Sequence, residues 1–326
     1  MESRLGLIER AAALLREGGQ ETPAAPAAPA TSIERAAALL REGAQETPAA
    51  PTPPMAAGGA RPASNEARLP PGAPVVLLRQ NIVLDRNHLA RTGIMMPWTA
   101  TARVVEEFRI VKRNIMAPWQ SPDYPRAANR PPRIVMVTSS RPREGKTFCA
   151  INLALAFAAE ENLTTILLDA DALHGSVARL LQVPPQPGFT DLLIRERRLD
   201  EVLVQTDLPN LVILPPGPPG PHVPELLHGK GPGLVFKDIA RRYPEHVIVM
   251  DTTPCLASTD PAGFAPLASH IVFVVEAEHT QQNEVESALS LLGEGGQISF
   301  LLNKVPVGSS EHFGSYSYYY DNASKP

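Results

Sequence analysis

Residues 133–148, RIVMVTSSRPREGKTF, carry a short apolar run through a polar loop into a second apolar run, and no other stretch restricts the fold so tightly. Ile134 to Val137 read as a strand covered on both faces of a parallel sheet, and Ala150 to Phe157 are apolar enough for a packed helix. The loop between them has a definite chemistry. Gly145, Lys146 and Thr147 match the end of a phosphate-binding loop: backbone N–H groups at a helix N-terminus face phosphate oxygens, a lysine reaches the β and γ oxygens, and a hydroxyl meets Mg²⁺. Ser140 stands where the motif has its first glycine, and Arg143 where a small residue is usual. Ser140, Arg141, Arg143, Glu144, Gly145, Lys146, Thr147 and Phe148 are therefore the candidate nucleotide-contacting set.

The remaining alternation of β and α patterns predicts an α/β fold with a doubly wound, mostly parallel sheet, whose active residues lie at strand C-termini. Thr165 to Leu168 form a second strand ending in Asp169-Ala170-Asp171, and Val247 to Met250 a third ending in Asp251. Carboxylates at those ends can orient Mg²⁺ or accept a proton from an attacking hydroxyl, whereas an N-capping role explains one aspartate of the first pair but not both. Thr147, Asp169 and Asp251 are the candidate metal ligands. Further strands are expected at Leu211–Leu214, Ile271–Val275 and Ile298–Leu302, the last closing in Asn303, a candidate base contact, and Lys304.

Composition divides the 326-residue chain. Residues 1–75 are mostly Ala, Pro, Gly, Glu and Arg, cannot bury enough apolar surface to offset their ordering entropy, and are expected to be disordered. They contain a direct repeat, IERAAALLREG beginning at Ile8 and again at Ile33, each copy a short amphipathic helix on a Pro-Ala tether. Residues 76–130 are expected to be a linker with one charged amphipathic helix at about 99–114, where Val104, Val105, Phe108 and Val111 form the apolar stripe. Glu106, Arg109 and Lys112 fall to the other face, a solvated surface or a subunit contact. The catalytic domain is set at 131–306 and a tail at 307–326.

A net charge of −4 gives no reason to expect nucleic-acid binding. Two cysteines, Cys149 and Cys255, are too few for a disulfide framework. With no run of 18 apolar residues and no signal-peptide pattern, a cytoplasmic protein without its own transmembrane segment is expected.

The set SSRPREGKT, ILLDAD, VIVMDTTP and PELL (Pro224 to Leu227) resembles the bacterial tyrosine kinases of exopolysaccharide synthesis, particularly the exosortase-associated tyrosine autokinases, over about residues 80–320. This P-loop family shares the MinD/ParA-like fold. The resemblance implies ATP and Mg²⁺, catalytic roles for Lys146, Asp169, Asp171 and Asp251, and a homo-oligomeric ring bridged through Glu106, Arg109 and Lys112. It also implies a membrane chain-length-determinant (Wzz-like) activator holding the protein peripherally at the inner membrane. Four of the six tyrosines, Tyr316, Tyr318, Tyr319 and Tyr320, cluster near the C-terminus. In the family such a tail is the autophosphorylation substrate of a neighbouring subunit.

Two other classes compete. A ParA- or MinD-type positioning ATPase shares the fold but carries a signature lysine where Arg141 stands. A nucleotide-binding scaffold with weakened catalysis is motivated by Arg143, which would be strained if its position needs a positive φ.

Overall fold

The computed structural model describes residues 80–306, apart from positions 97, 99–102, 122–123, 125–130, 221–222, 244 and 294. The repeat-bearing region 1–75 and the tyrosines of 307–326 lie outside the described residues.

Eight strands form one sheet: β1 (Gln80–Ile82), β2 (Ile134–Ser139), β3 (Thr164–Asp169), β4 (Val204–Thr206), β5 (Leu211–Leu214), β6 (His246–Asp251), β7 (His270–Glu276) and β8 (Gln297–Asn303), in the order β1-β4-β5-β3-β6-β2-β7-β8. The six from β5 to β8 along that order run parallel, and only the β4–β5 pairing is antiparallel. This is the doubly wound sheet that the sequence predicts, with the expected strands ending at most two residues beyond the expected positions. β2 lies between β6 and β7, so connections leave it in both directions and open a crevice above its C-terminal end, where ligands bind in such sheets.

The strictly apolar strands are buried on both faces because each face carries its own core. Ile134 and Met136 point into one cluster and Val135 and Val137 into the other, the alternation that a pleated strand imposes. The first face is covered by α5 (Phe189–Leu193), α7 (Val223–His228), α8 (Gly231–Arg242), α9 (Asp260–Phe264) and α10 (Gln282–Leu292), the second by α1 (Arg86–Arg91), α2 (Arg103–Met116), α3 (Lys146–Ala158) and α4 (Ser176–Leu180). A short α6 (Leu199–Val202) leads into β4.

α3 is buried from Cys149 to Phe157 because the sheet lies on one side of it and α2 packs across the other. A helix apolar all round requires such double cover. α2 presents Val105, Phe108 and Ile115 to this core with Val104 and Val111 beside them, so the expected stripe is present and extends one turn further. The stretch expected as a linker therefore belongs to the same body: β1 extends the sheet and α2 roofs the P-loop helix. PELL forms most of α7, where Leu227 is buried in the core. His228 at its end faces Thr259 Oγ1 at 3.1 Å, tying α7 to α9.

Candidate active site

The loop 140–145 rises from the C-terminal end of β2 and enters α3 at Lys146, with Gly145 as N-cap at φ 94°. A Cβ on Gly145 would lie 2.0 Å from Asn303 Nδ2, so only glycine fits there. Arg143 also sits in the left-handed region, at φ 71°. The conformation is supported from β8: Lys304 Nζ donates to Arg143 O at 2.8 Å and Asn303 Nδ2 to Glu144 O at 2.8 Å. Glu144 is buried, accepts from Arg141 N at 2.6 Å and from Thr280 Oγ1, and burial raises its pKa. The Arg141 side chain turns to Glu284 on α10, 3.2 Å away.

Thr147 Oγ1 donates to Asp251 Oδ2 at 2.7 Å. Asp251 and Asp169 are register partners at the ends of adjacent strands β6 and β3, both fully buried. Asp169 Oδ2 accepts from the first amides of α4, Val177 N at 2.9 Å and Ala178 N at 3.1 Å. Asp169 Oδ1, Asp251 Oδ1 and Ser140 Oγ are buried with no hydrogen-bond partner among the described residues. Burial, and then the Asp251 charge, push the Asp169 carboxyl up to about 8. Burial pushes Asp251 up to about 7, against the opposing pull of Lys146 and Thr147.

Buried carboxylate oxygens without partners are costly unless something else meets them. The donors here are hard oxygens, the chemistry that suits Mg²⁺, and such an ion would supply the missing partners. Among the described residues no group of three or more acidic, histidine or cysteine side chains is gathered to hold a metal by itself. That also fits Mg²⁺, which keeps waters and substrate phosphates in its shell.

The structure brings Ser140, Arg141, Arg143, Glu144, Gly145, Lys146, Thr147, Asp169, Asp171 and Asp251 to the same end of the sheet, as the sequence predicts. Two of the expected ligand contacts differ. The Phe148 ring packs edge-on against Phe108 of α2 at 6.3 Å, since that position faces the second core and leaves the loop only its backbone. Asn303 is buried with its amide N–H given to the loop carbonyl, which makes it a strut of the P-loop rather than a base contact. On α2, Glu106 and Arg109 pair with one another, but Lys112 turns inward to Glu160 and its side chain is only 12% exposed. The sequence reading missed Thr280, Glu284 and Lys304 as supports of the loop. Lys304 could have been found from its place just past a strand C-terminus; Thr280 and Glu284 have no such signal.

No protein-family model matches the chain. It is 27% identical over 219 residues to CapB of Staphylococcus aureus, covering 67% of this chain and 90% of CapB. It is 24% identical over 213 residues to the tyrosine-protein kinase YwqD of Bacillus subtilis, covering 65% and 85%. With the tyrosine-protein kinase wzc of Salmonella typhimurium the identity is 29% over 196 residues, or 59% of this chain and 27% of wzc. The chain is a homologue of the bacterial tyrosine-protein kinases. It spans most of the shorter kinases of this group and about a quarter of the longer ones. Two solved structures share its fold: the chimerical protein CapA2B2, with TM-score 0.54 and 23% identity over 68% of this chain and 98% of that one, and the kinase domain of the Escherichia coli tyrosine kinase ETK, with TM-score 0.52 and 21% identity over 62% and 77%.

Proposed function

We propose that the chain is an ATP-dependent protein-tyrosine autokinase that phosphorylates Tyr316, Tyr318, Tyr319 and Tyr320 of a neighbouring copy and thereby regulates exopolysaccharide chain length and export. The observation that carries this reading is the Thr147–Asp251 hydrogen bond beside the partnerless oxygens of Asp169 and Asp251, a ready-made oxygen set next to a phosphate-binding loop. When bound, Mg²⁺ would neutralise charge on the β and γ phosphates. Thr147 and Asp251 would hold it, with Asp169 oriented alongside by the α4 amides. Lys146, the first residue of α3, binds phosphate oxygens together with the backbone N–H groups of the helix N-terminus. Asp171 completes the acidic set on the acceptor side of the site, where its charge favours release of the acceptor proton, and burial of Asp169 and Asp251 keeps bulk water from competing with that hydroxyl.

A neighbour presenting its tail requires assembly. Glu106 and Arg109 on the outer side of α2 are the residues we assign to a subunit contact in a ring, with Lys112 holding α2 against its own domain. A chain-length-determinant membrane protein is the proposed activator, which would place the kinase at the cytoplasmic face of the inner membrane. Among the described residues no helix is long and apolar enough to cross a membrane. The salt bridge of Arg141 to Glu284 of its own chain speaks against the positioning-ATPase reading, in which that position would reach a partner.

The test is to incubate the purified chain with Mg·ATP and map phosphorylated residues by mass spectrometry. Phosphotyrosine at 316–320 that disappears in Lys146→Ala is expected; undiminished self-phosphorylation of the pure Lys146→Ala protein rejects the assignment, and nucleotide binding with no phosphotyrosine identifies a scaffold.

A further inference from the structure

The three carboxylates of the site share a difficulty. Asp169 and Asp251 have no exposed surface and Asp171 almost none, so a phenol arriving from another molecule cannot readily reach any of them. Asp169 and Asp251 are in addition engaged with the α4 amides and with Thr147. Asp171 has a different partner. Its Oδ1 accepts the backbone N–H of His174 at 3.2 Å, and its two carboxylate oxygens lie 2.9 Å and 3.1 Å from His174 Nδ1. The Asp171 side chain is 4% exposed and that of His174 67%. A buried carboxylate against Nδ1 favours the Nδ1–H tautomer and leaves the Nε2 lone pair on the opposite, exposed edge of the ring. The pair belongs to the same charge cluster, since the Asp171 charge acts on both Asp169 and Asp251.

Two large aliphatic side chains stand exposed at this end of the sheet. Leu173, next to His174, is 72% exposed, and Leu256, whose N–H donates to Ser140 O at 3.1 Å, is 42% exposed. One rises from the β3 side of the crevice and the other from the wall of the P-loop. An aromatic ring seated between them would cover apolar surface that water now meets.

We propose that His174, oriented by Asp171, is the catalytic base for the incoming tyrosine, and that Leu173 and Leu256 seat its ring; this rests on the tyrosine-kinase reading above. The occupant is the segment 313–320, FGSYSYYY, of a second copy. The described residues end at Pro306, just past the C-terminal end of β8, where Lys304 Nζ meets Arg143 O of the P-loop. Tyr316 lies ten positions beyond Pro306, a reach of about 35 Å when extended. In the step itself the phenolic oxygen forms a bond to the γ-phosphorus of the nucleoside triphosphate. The bond from that phosphorus to the β–γ bridging oxygen breaks, and the nucleoside diphosphate leaves with its electron pair. The phenolic proton passes to His174 Nε2, the imidazolium is stabilised by Asp171, and solvent then takes the proton from the exposed ring.

The experiment compares the full-length wild type with His174→Gln, an exposed position where the substitution should not disturb folding. Loss of a general base predicts tail phosphorylation slowed on the order of 10²-fold or more, with nucleotide affinity unchanged. With acceptor peptides carrying fluorinated tyrosines of lower phenol pKa, the deficit should shrink as the proton becomes easier to lose; a merely structural role would leave it constant. Independently of activity, ¹⁵N NMR of the imidazole should show the Nδ1–H tautomer in the wild type and lose that preference in Asp171→Asn. The double variant Leu173→Ser/Leu256→Ser should raise KM for a tyrosine peptide several-fold without changing nucleotide affinity. A wild-type rate in His174→Gln, a deficit constant across acceptors, or an Nε2–H tautomer overturns the proposal while the kinase reading stands. Bound nucleotide without any phosphotyrosine in the wild type overturns both.

Discussion

Arg143 shows at the scale of one residue how a departure from a motif is accommodated. Its φ of 71° is the region where a side chain other than glycine is penalised by about 1 kcal/mol. Lys304 meets that strained peptide directly through its carbonyl, and Glu276, 3.0 Å from Lys304 Nζ, holds the lysine in place. Arg143→Gly should therefore raise the melting temperature, by roughly 2 to 4 °C for a domain of this size, and calorimetry that shows a fall would mean the arginine side chain contributes more than its backbone costs. Lys304→Ala should do the reverse, lowering nucleotide affinity in a binding titration. The position of Arg143 in the loop was legible from the spacing to Gly145-Lys146-Thr147. For Lys304 the sequence showed a place just past a strand C-terminus but not what it supports, because the two residues are 161 positions apart and meet only through the pairing of β8 with β7.

At the scale of elements, the strands and the P-loop helix were the most legible parts, since unbroken runs such as Ile134–Val137 and Val247–Met250 can be satisfied only between two covered faces. The role of α2 was less so. Its stripe gave the helix, but periodicity does not say what the stripe meets, and here it meets α3 immediately behind Lys146 and Thr147. Phe108, buried and in edge-to-face contact with Phe148, couples that roof to the start of the P-loop helix. Phe108→Ala should cost about 3 to 5 kcal/mol in denaturant unfolding. Nucleotide affinity should fall with it, whereas an unchanged affinity would show that α2 acts on stability alone. Gly145→Ala tests the opposite strand: with Asn303 filling the place of a Cβ, nucleotide binding should drop at least tenfold while the sheet stays folded.

Over the whole molecule, buried ionisable groups set opposing responses to pH. Asp169 and Asp251 have pKa values in the fold near 8 and 7, well above the unfolded value of about 4, so their contribution is fully present only below about pH 4 and is lost progressively as pH rises to 7 and 8. His270, buried at the start of β7 and 3.0 Å from Ser299, is depressed by burial to about 4; its contribution is present above about pH 6.5 and is lost as pH falls toward 4. Thermal melts of the ligand-free chain should accordingly be higher at pH 6 than at pH 8, with His270→Gln altering only the limb below about pH 6.5. Because a metal ion needs the carboxylates ionised, Mg·nucleotide should stabilise the protein more at pH 8 than at pH 6 and release protons near neutrality, measurable by calorimetry in two buffers of different ionisation enthalpy. An equal gain at both values would mean that Asp169 and Asp251 are already ionised in the free protein.

The last strand gives the architecture a mechanical reading. β8 ends in Asn303 and Lys304, and both side chains grip the main chain of the loop that cradles phosphate, at Glu144 O and Arg143 O. Whatever the chain does beyond Pro306, its root is clamped to that loop rather than to inert scaffold. Tension on the chain at Pro306 would be applied through two hydrogen bonds to that loop. The end of β8 and the phosphate-binding loop are hinged on one another, and load on one is felt at the other.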